Sequence, residues 1–326
     1  MKPLRVAMVG CGGIAVRHAG AVATLGDRME LVACVGRDLD RTSTFAAEHG
    51  GEPFVDLDRM IEAQAPDLAI VTIPPYARGG ETEHLAGRGV HVLVEKPIAL
   101  DMEAATRMVD AVEAAGVIAV IGFMYRFGDA VRRWRDLDAG PVGLYVGGYY
   151  CNALHAHWWR KRALSGGQIL EQAIHQIDLI RHLVGEPDSV HARYANLFHR
   201  DVPDYDVEDL SATMFGWDDG RIASLTASNI AVPGVWHKEW AIMAERMTGR
   251  FTSWNDAVLT RTQGEVSSET VVGKTDPFVA QLSDVADAIA EKRQPYIPLL
   301  EGAKTLRLAL SAVQSAKEGR ELPLGD

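Results

Sequence analysis

The sequence predicts an α/β chain: an N-terminal doubly wound parallel sheet followed by an α+β domain carrying a mostly antiparallel, open sheet. Three observations support this. Up to about residue 122, short apolar runs alternate with amphipathic stretches of helical length, the pattern of strand–helix–strand units. Beyond that point several β-like runs follow one another with only short turn signals between them, the pattern of antiparallel pairing. A length of 326 residues, 47% hydrophobic and 24% charged, exceeds what one small core needs, so two domains are expected.

In the first domain, Leu4–Val9, Leu31–Val35, Leu68–Ile73, Val90–Val94 and Val117–Ile121 read as strands. They are apolar throughout rather than alternating, which suits a parallel sheet covered by helices on both faces. Ile14–Leu25, Arg41–His49, Glu81–Gly87 and Met102–Ala115 read as the helices between them. Pro74-Pro75 and Lys96-Pro97 follow directly on two strands, where a residue with no N–H to donate ends the ladder. Ile73, Pro74, Glu95 and Lys96 are therefore expected at strand carboxyl ends, the edge where open α/β sheets bind ligands. In the second domain a helix at Asp129–Leu137 precedes a strand at Val142–Tyr150, and one long amphipathic helix is expected over Gln168–Leu183. Val190–Leu197, Leu210–Trp217, Arg221–Ile230, Lys238–Ala244 and Gly249–Trp254 read as strands joined by turns such as Asp218-Asp219-Gly220. Helices at Phe278–Lys292 and Leu300–Glu318 close the chain. The expected domains are 1–122 and 123–326, with the closing helices candidates to pack back on the first.

The formal net charge of −11 opposes a polyanionic partner, because nucleic-acid binding draws most of its affinity from neutralising phosphates. No apolar run approaches the eighteen or so residues that cross a bilayer, and Met1-Lys2-Pro3 leads into a strand without a signal-peptide pattern. Neither nucleic acid nor membrane is an expected partner, and the cytoplasm is the expected location. Cys11, Cys34 and Cys151, odd in number and widely spaced, indicate neither a disulfide framework nor a metal site. Cys11 and Cys34 read as small buried hydrophobes.

Gly10-Cys11-Gly12-Gly13-Ile14-Ala15 fits G-x-G-x-x-G/A, with alanine at the third position, between an apolar strand and a helix. Gly10 permits the tight turn, Gly12 lets the backbone approach a pyrophosphate, and Ala15 lets the helix pack closely on the strand. With Gly13 and Ile14 opening the helix, its free N–H groups and positive dipole end suit phosphate. The first domain is thus expected to be a Rossmann domain holding a nicotinamide dinucleotide. At the end of the second strand, Gly36 stands where an NAD-specific chain usually carries an acid, and Arg37 follows with paired donors for a 2′-phosphate. NADP(H) is favoured, and NAD(H) stays open because Asp38 is adjacent.

Val94-Glu95-Lys96-Pro97, together with the fingerprint, resembles the glucose-fructose oxidoreductase and inositol dehydrogenase (Gfo/Idh/MocA) family. Gly122-Phe123-Met124-Tyr125-Arg126-Phe127 looks like the family's first segment after the Rossmann domain, and Trp159-Arg160 precedes a glycine-rich stretch as is common there. The segment from Ser165-Gly166-Gly167 through Glu171 and His175 to Asp178 is similar to the family's G-G-G-x-x-x-D-x-G-x-H-x-x-D. Glu171 replaces the commoner Asp, Ala173 replaces a glycine, and Ile73-Pro74-Pro75 replaces Thr-Pro-Asn. The resemblance implies Lys96, His175 and Glu171 as catalytic residues, Glu95 and Arg160 as further cofactor contacts, and Tyr125 and Arg126 as substrate contacts. It also implies a homodimer or homotetramer.

Oxidising an alcohol removes an O–H proton as hydride leaves carbon, which calls for a base with a pKa near working pH, such as His175. Glu171, four residues earlier, is placed to orient the imidazole, and the Lys96 ammonium to bond the substrate oxygen as negative charge develops. On the expected helix Glu171, His175, Asp178 and His182 share one stripe, opposite Ile169, Ala173, Ile177 and Ile180 in the core. Without the family resemblance a solvated polar face explains that stripe equally well, and His182 reads best as a surface residue. Asp178 is either an orienting or a structural acid.

Tyr149, Asn152, His155, His157, Trp158, Trp159, Arg160 and Lys161 crowd one stretch. Aromatic faces beside polar donors suit a sugar or polyol ring, and the same residues also suit a subunit contact. Trp236, His237 and Trp240 are open to the same two readings. Asn152, His157, Trp158 and Trp159 are the substrate contacts expected here, besides Lys96 and His175. The expected enzyme is an NAD(P)-dependent dehydrogenase or reductase acting on CH–OH groups of a sugar, cyclitol or related polyol. Alternatives are a cofactor-retaining, redox-assisted glycosidase or eliminase, and a non-catalytic dinucleotide-sensing regulator.

Overall fold

The structure is a computed structural model describing residues 2–325 apart from 153 and 155, so His155 lies outside the described residues. The chain divides into two units, Met1–Met124 with Asp276–Ala303, and Tyr125–Thr275 with Lys304–Asp326. In the first, β1 (Leu4–Val9), α1 (Gly13–Thr24), β2 (Met29–Val35), α2 (Leu39–His49), β3 (Glu52–Phe54), α3 (Leu57–Gln64), β4 (Leu68–Val71), α4 (Glu81–Gly87), β5 (His91–Val94), α5 (Met102–Ala115) and β6 (Ala119–Ile121) alternate. The six strands are parallel, in the order β3-β2-β1-β4-β5-β6. The order reverses between β1 and β4, whose carboxyl ends flank the crevice where such sheets hold dinucleotides. Asp38, Asp56 and Asp101 cap α2, α3 and α5 by accepting the N–H groups of Arg41, Arg59 and Ala104. The short β3 and α3 were not expected, since β3 has no fully buried residue and α3 buries only Met60 and Ile61.

The second unit contains α6 (Asp129–Asp136), β7 (Val142–Tyr150), α7 (Arg162–Ser165), α8 (Gln168–Glu171), α9 (Ile174–Leu183), β8 (Ser189–Ala195), β9 (Leu210–Gly216), β10 (Ile222–Ser228), β11 (His237–Ala244), β12 (Met247–Phe251), β13 (Asp256–Arg261) and β14 (Ser267–Val272). With β15 (Leu322–Pro323) they form one sheet, β14-β13-β12-β11-β7-β10-β9-β8-β15, antiparallel except for the parallel pair β7 and β10. Strands β13 to β15 extend it beyond the expected ones. Five of the six β14 residues are exposed, so no half-buried alternation marks that strand in the sequence. Tyr145, Phe215, Leu225 and Ile242 are buried on one side, whereas Val146, Met214, Ile222, Met243 and Val258 are exposed along the strands.

The single helix expected over Gln168–Leu183 is two helices, α8 and α9. At the junction the Ala173 N–H bonds to the carbonyl of Gln168, five residues back, so the turn is wider than an α-turn. The side chain of Gln172 is drawn to the carbonyls of Tyr149 and Ser228. The segment is buried on all sides rather than half-solvated: Glu171, His175, Gln176, Asp178 and Arg181 are each less than 9% exposed.

Two long helices follow, α10 (Pro277–Glu291) and α11 (Leu299–Glu318). Phe278, Leu282, Val285 and Ala286 of α10 join Ala15, Ala19 and Val22 of α1 in the first unit's core, and Arg28 pairs with Asp287. No helix among the described residues is long and apolar enough to cross a membrane.

Candidate active site

The turn after β1 is built for close approach. Gly10 has φ +101°, and a Cβ there would lie 2.9 Å from both the Ile73 nitrogen and Thr72 Oγ1. A Cβ on Gly12 or Gly13 would meet nothing within 4 Å. Helix α1 has no side-chain cap and no acid in its first turn, leaving its N–H groups and dipole for an anion. Ile14 is exposed and Ala15 is fully buried. These features fit a dinucleotide pyrophosphate. Cys11 is half-buried rather than a plain core residue. The neighbouring Cys34 thiol, with smaller help from Thr42 and Arg41, lowers its thiol pKa against the effect of burial.

At the end of β2 a Cβ on Gly36 would sit 2.3 Å from Thr42 Oγ1, so only glycine fits. Asp38 caps α2 through a 2.9 Å bond from the Arg41 N–H, while Arg37 and Arg41 are exposed. Beyond β4, Ile73 and Pro74 are half-buried, and the Ile73 carbonyl accepts from Arg78.

After β5, Lys96 is half-buried and joined to Pro97 by a cis peptide bond. Glu95, expected to contact the cofactor, instead has each of its polar atoms engaged within the unit. Its carboxylate accepts from His18 Nε2 at 2.7 Å and from the Lys96 N–H at 3.0 Å. Its own N–H bonds to Val71 O, and its carbonyl accepts from Arg78. Burial pushes the carboxyl pKa up, but the His18 hydrogen bond and charge, with Lys96, hold it below the ordinary range.

In the second unit Tyr125 is the centre of a stack. The His175 ring lies 4.3 Å from it at an 11° interplanar angle, and Trp254 lies 4.6 Å from it at 30°. Burial, and then the nearby Tyr149 phenol, raise the Tyr125 pKa well above the ordinary value. Burial dominates in Tyr149 too, with Cys151 and Glu171 adding to the upward push. Arg126, expected to meet substrate, is 5% exposed and grips Asp178 with two bonds, of 2.9 and 2.6 Å. Asp178 also accepts from Thr305. This buried ion pair anchors α9 and gives Asp178 a structural place.

Tyr149, Trp159 and Trp236 form an aromatic wall, with Trp159 edge-on to both Trp158 and Trp236. His157 is exposed, and the Asn152 amide oxygen accepts the Leu154 N–H. Arg160, expected to contact the cofactor, donates to the carbonyls of Leu154 and Pro203. Lys238, paired with Tyr149 across β11 and β7, holds its ammonium 5.1 Å from the Tyr149 ring and 5.3 Å from that of Trp254. Sequence reasoning gave neither Lys238 nor Trp254 a role, and only the alternation on β11 hinted at the first.

Two family models match the chain: an oxidoreductase family with an NAD-binding Rossmann fold over residues 4–123, and the GFO/IDH/MocA C-terminal domain over residues 138–248. The scyllo-inositol 2-dehydrogenase (NAD(+)) of Bacillus subtilis (strain 168) is 26% identical over 336 residues, covering 98% of this chain and 96% of that protein. The 2,7-anhydro-N-acetylneuraminate hydratase of Mediterraneibacter gnavus (strain ATCC 29149 / DSM 114966 / JCM 6515 / VPI C7-9) is 28% identical over 236 residues, 69% of this chain and 61% of that protein. A levoglucosan dehydrogenase in complex with NADH and levoglucosan shares the fold, with TM-score 0.91 at 19% identity over 99% of this chain and 100% of that one. The chain belongs to the Gfo/Idh/MocA family of NAD-binding oxidoreductases and is an NAD(P)-dependent dehydrogenase or reductase.

Proposed function

We propose that the substrate is a secondary alcohol of a sugar, cyclitol or related polyol, or the matching ketone, and that Lys96, His175 and Glu171 handle the proton. The bound nicotinamide supplies the hydride acceptor or donor. His175 removes the hydroxyl proton, Lys96 bonds the same oxygen as it gains negative charge, and Glu171 orients the imidazole. The supporting observation is the Tyr125 stack, which fixes the plane of the His175 ring, as a base must be fixed to act in one direction. Tyr149, Trp158, Trp159 and Trp236, with Asn152 and His157 near them in the chain, serve as a wall for a ring with one C–H face.

The cofactor is NADP(H) in preference to NAD(H). Gly36 brings no carboxylate, Asp38 is engaged as a helix cap, and Arg37 with Arg41 offers cations to a 2′-phosphate. The protein acts as a homodimer or homotetramer in the cytoplasm, pairing through the open sheet face.

The test is a panel of sugars, inositols including scyllo-inositol, levoglucosan and their keto forms, each with NAD and NADP, following nicotinamide absorbance and product together. A dehydrogenase changes absorbance in proportion to substrate consumed. The hydratase among the relatives keeps a second reading in view, a cofactor-retaining eliminase, and product without net absorbance change would select it. Dinucleotide binding with neither outcome would favour the non-catalytic sensor.

A further inference from the structure

We propose that His18, acting through Glu95, and Arg78 are positioning residues for Lys96. The inference rests on the role given to Lys96 above. Lysine has four flexible methylenes, so the direction of its ammonium depends first on how firmly its own backbone is set. Lys96 lies in a turn gripped from two sides.

On one side is Arg78. Its guanidinium donates to the carbonyls of Glu95 at 2.7 Å, Pro97 at 2.5 Å and Ile98 at 2.7 Å, and to Ile73 O at 3.0 Å. Three of those carbonyls belong to the Lys96 turn and the fourth to the exit of β4. Only the rigid, five-donor fork of arginine serves four acceptors at once. On the other side is the Glu95 carboxylate, holding the Lys96 N–H through one oxygen and His18 through the other. It packs against Gly122, where any side chain would press on it, since a Cβ there would lie 3.0 Å from the carboxylate.

His18 is out of character for its surroundings. It is fully buried on the face of α1 that otherwise presents Ala15, Ala19, Ala21 and Val22, and it meets Phe278 edge-on at 5.1 Å. Its Nδ1 is buried with no hydrogen-bond partner among the described residues. A half-satisfied imidazole is a costly way to fill a core. Its use is at Nε2, which ties the helix that begins at the phosphate loop to the carboxylate beneath Lys96.

The test labels the protein with ε-¹³C-lysine. The chain has eight lysines, and the Lys96 resonance is the one lost in Lys96→Arg. In the wild type it should stand apart from the exposed lysines. His18→Ala and Arg78→Lys should move it towards them, leaving the other seven in place as proof of folding. His18→Gln, whose amide can still donate to Glu95, should restore it. With the most active compound of the panel, kcat should fall about 10- to 100-fold in His18→Ala and Arg78→Lys, with dinucleotide KM unchanged and recovery in His18→Gln. A Lys96 resonance and kcat unmoved in both variants would overturn the proposal. Full turnover by Lys96→Ala would instead remove Lys96 from the chemistry, leaving the resonance to decide the positioning on its own.

Discussion

Late in α9, burial and then the neighbouring Arg126, Arg135 and Arg181 push the His182 pKa down from 6.5 to about 3. The surface position expected for this residue overlooked that its helix is enclosed. The folded protein resists the proton that the unfolded chain accepts near pH 6.5. Its contribution to stability is therefore complete above that pH and declines as the pH falls towards 3. Replacing His182 with Gln should flatten the fall of Tm between pH 6.5 and 4, and an unchanged slope would refute the assignment. His175→Ala should lower kcat by about 10²- to 10⁴-fold, the usual loss of a general base, with dinucleotide affinity retained. Turnover at the wild-type rate across about pH 6 to 9, where an ordinary imidazole is mostly the free base, would exclude it. For the cofactor, Arg37→Ala should cost about 1.5–3 kcal/mol of NADP binding and leave NAD binding alone. Dissociation constants showing NAD bound tighter by the wild type would point to Asp38 as the ribose ligand.

Between α8 and α9 the wide turn at Gln172-Ala173 changes the angular relation of Glu171 to His175, which a regular helix sets at four residues. The sequence made the polar stripe legible as positions but not as a buried one. The partners of the segment's buried polar residues, Arg126 for Asp178, Tyr145 for Gln176 and the Tyr149 carbonyl for Gln172, lie 23 to 52 residues away in the chain. The parallel strands of the first unit were legible because each is a continuous apolar run. Exposed β14 and three-residue β3 carry no such pattern. Trp254 reaches the Tyr125 stack from a loop after β12, a long-range meeting that periodicity does not encode. The Arg126–Asp178 pair gives this region its own test. Asp178→Asn leaves a buried guanidinium without its counter-charge, which typically costs about 3–5 kcal/mol. Denaturant unfolding should show that loss, and a midpoint within error of the wild type would mean that water or another group compensates.

Across the whole molecule, the exposed residues Val146, Met214, Ile222, Met243 and Val258 form the apolar content of the open sheet face. If this face joins subunits, Val146→Asp should reduce the sedimenting mass to that of a single chain, while circular dichroism stays unchanged. A wild type that already sediments as one chain would dismiss the oligomer. The return of α10 to the first unit bears on how the protein is made. Phe278, Leu282 and Val285 belong to the same core as Met8, Ala19 and Val22, yet about 150 residues of the second unit separate the two pieces in the chain. On a ribosome adding about 5–20 residues per second, the dinucleotide fingerprint emerges early, but its supporting helix follows only about 13–55 s later. Until then α1 offers an uncovered apolar flank to the surroundings. Completion of the dinucleotide-binding unit, whose fingerprint is made first, thus waits on a helix made after most of the second unit.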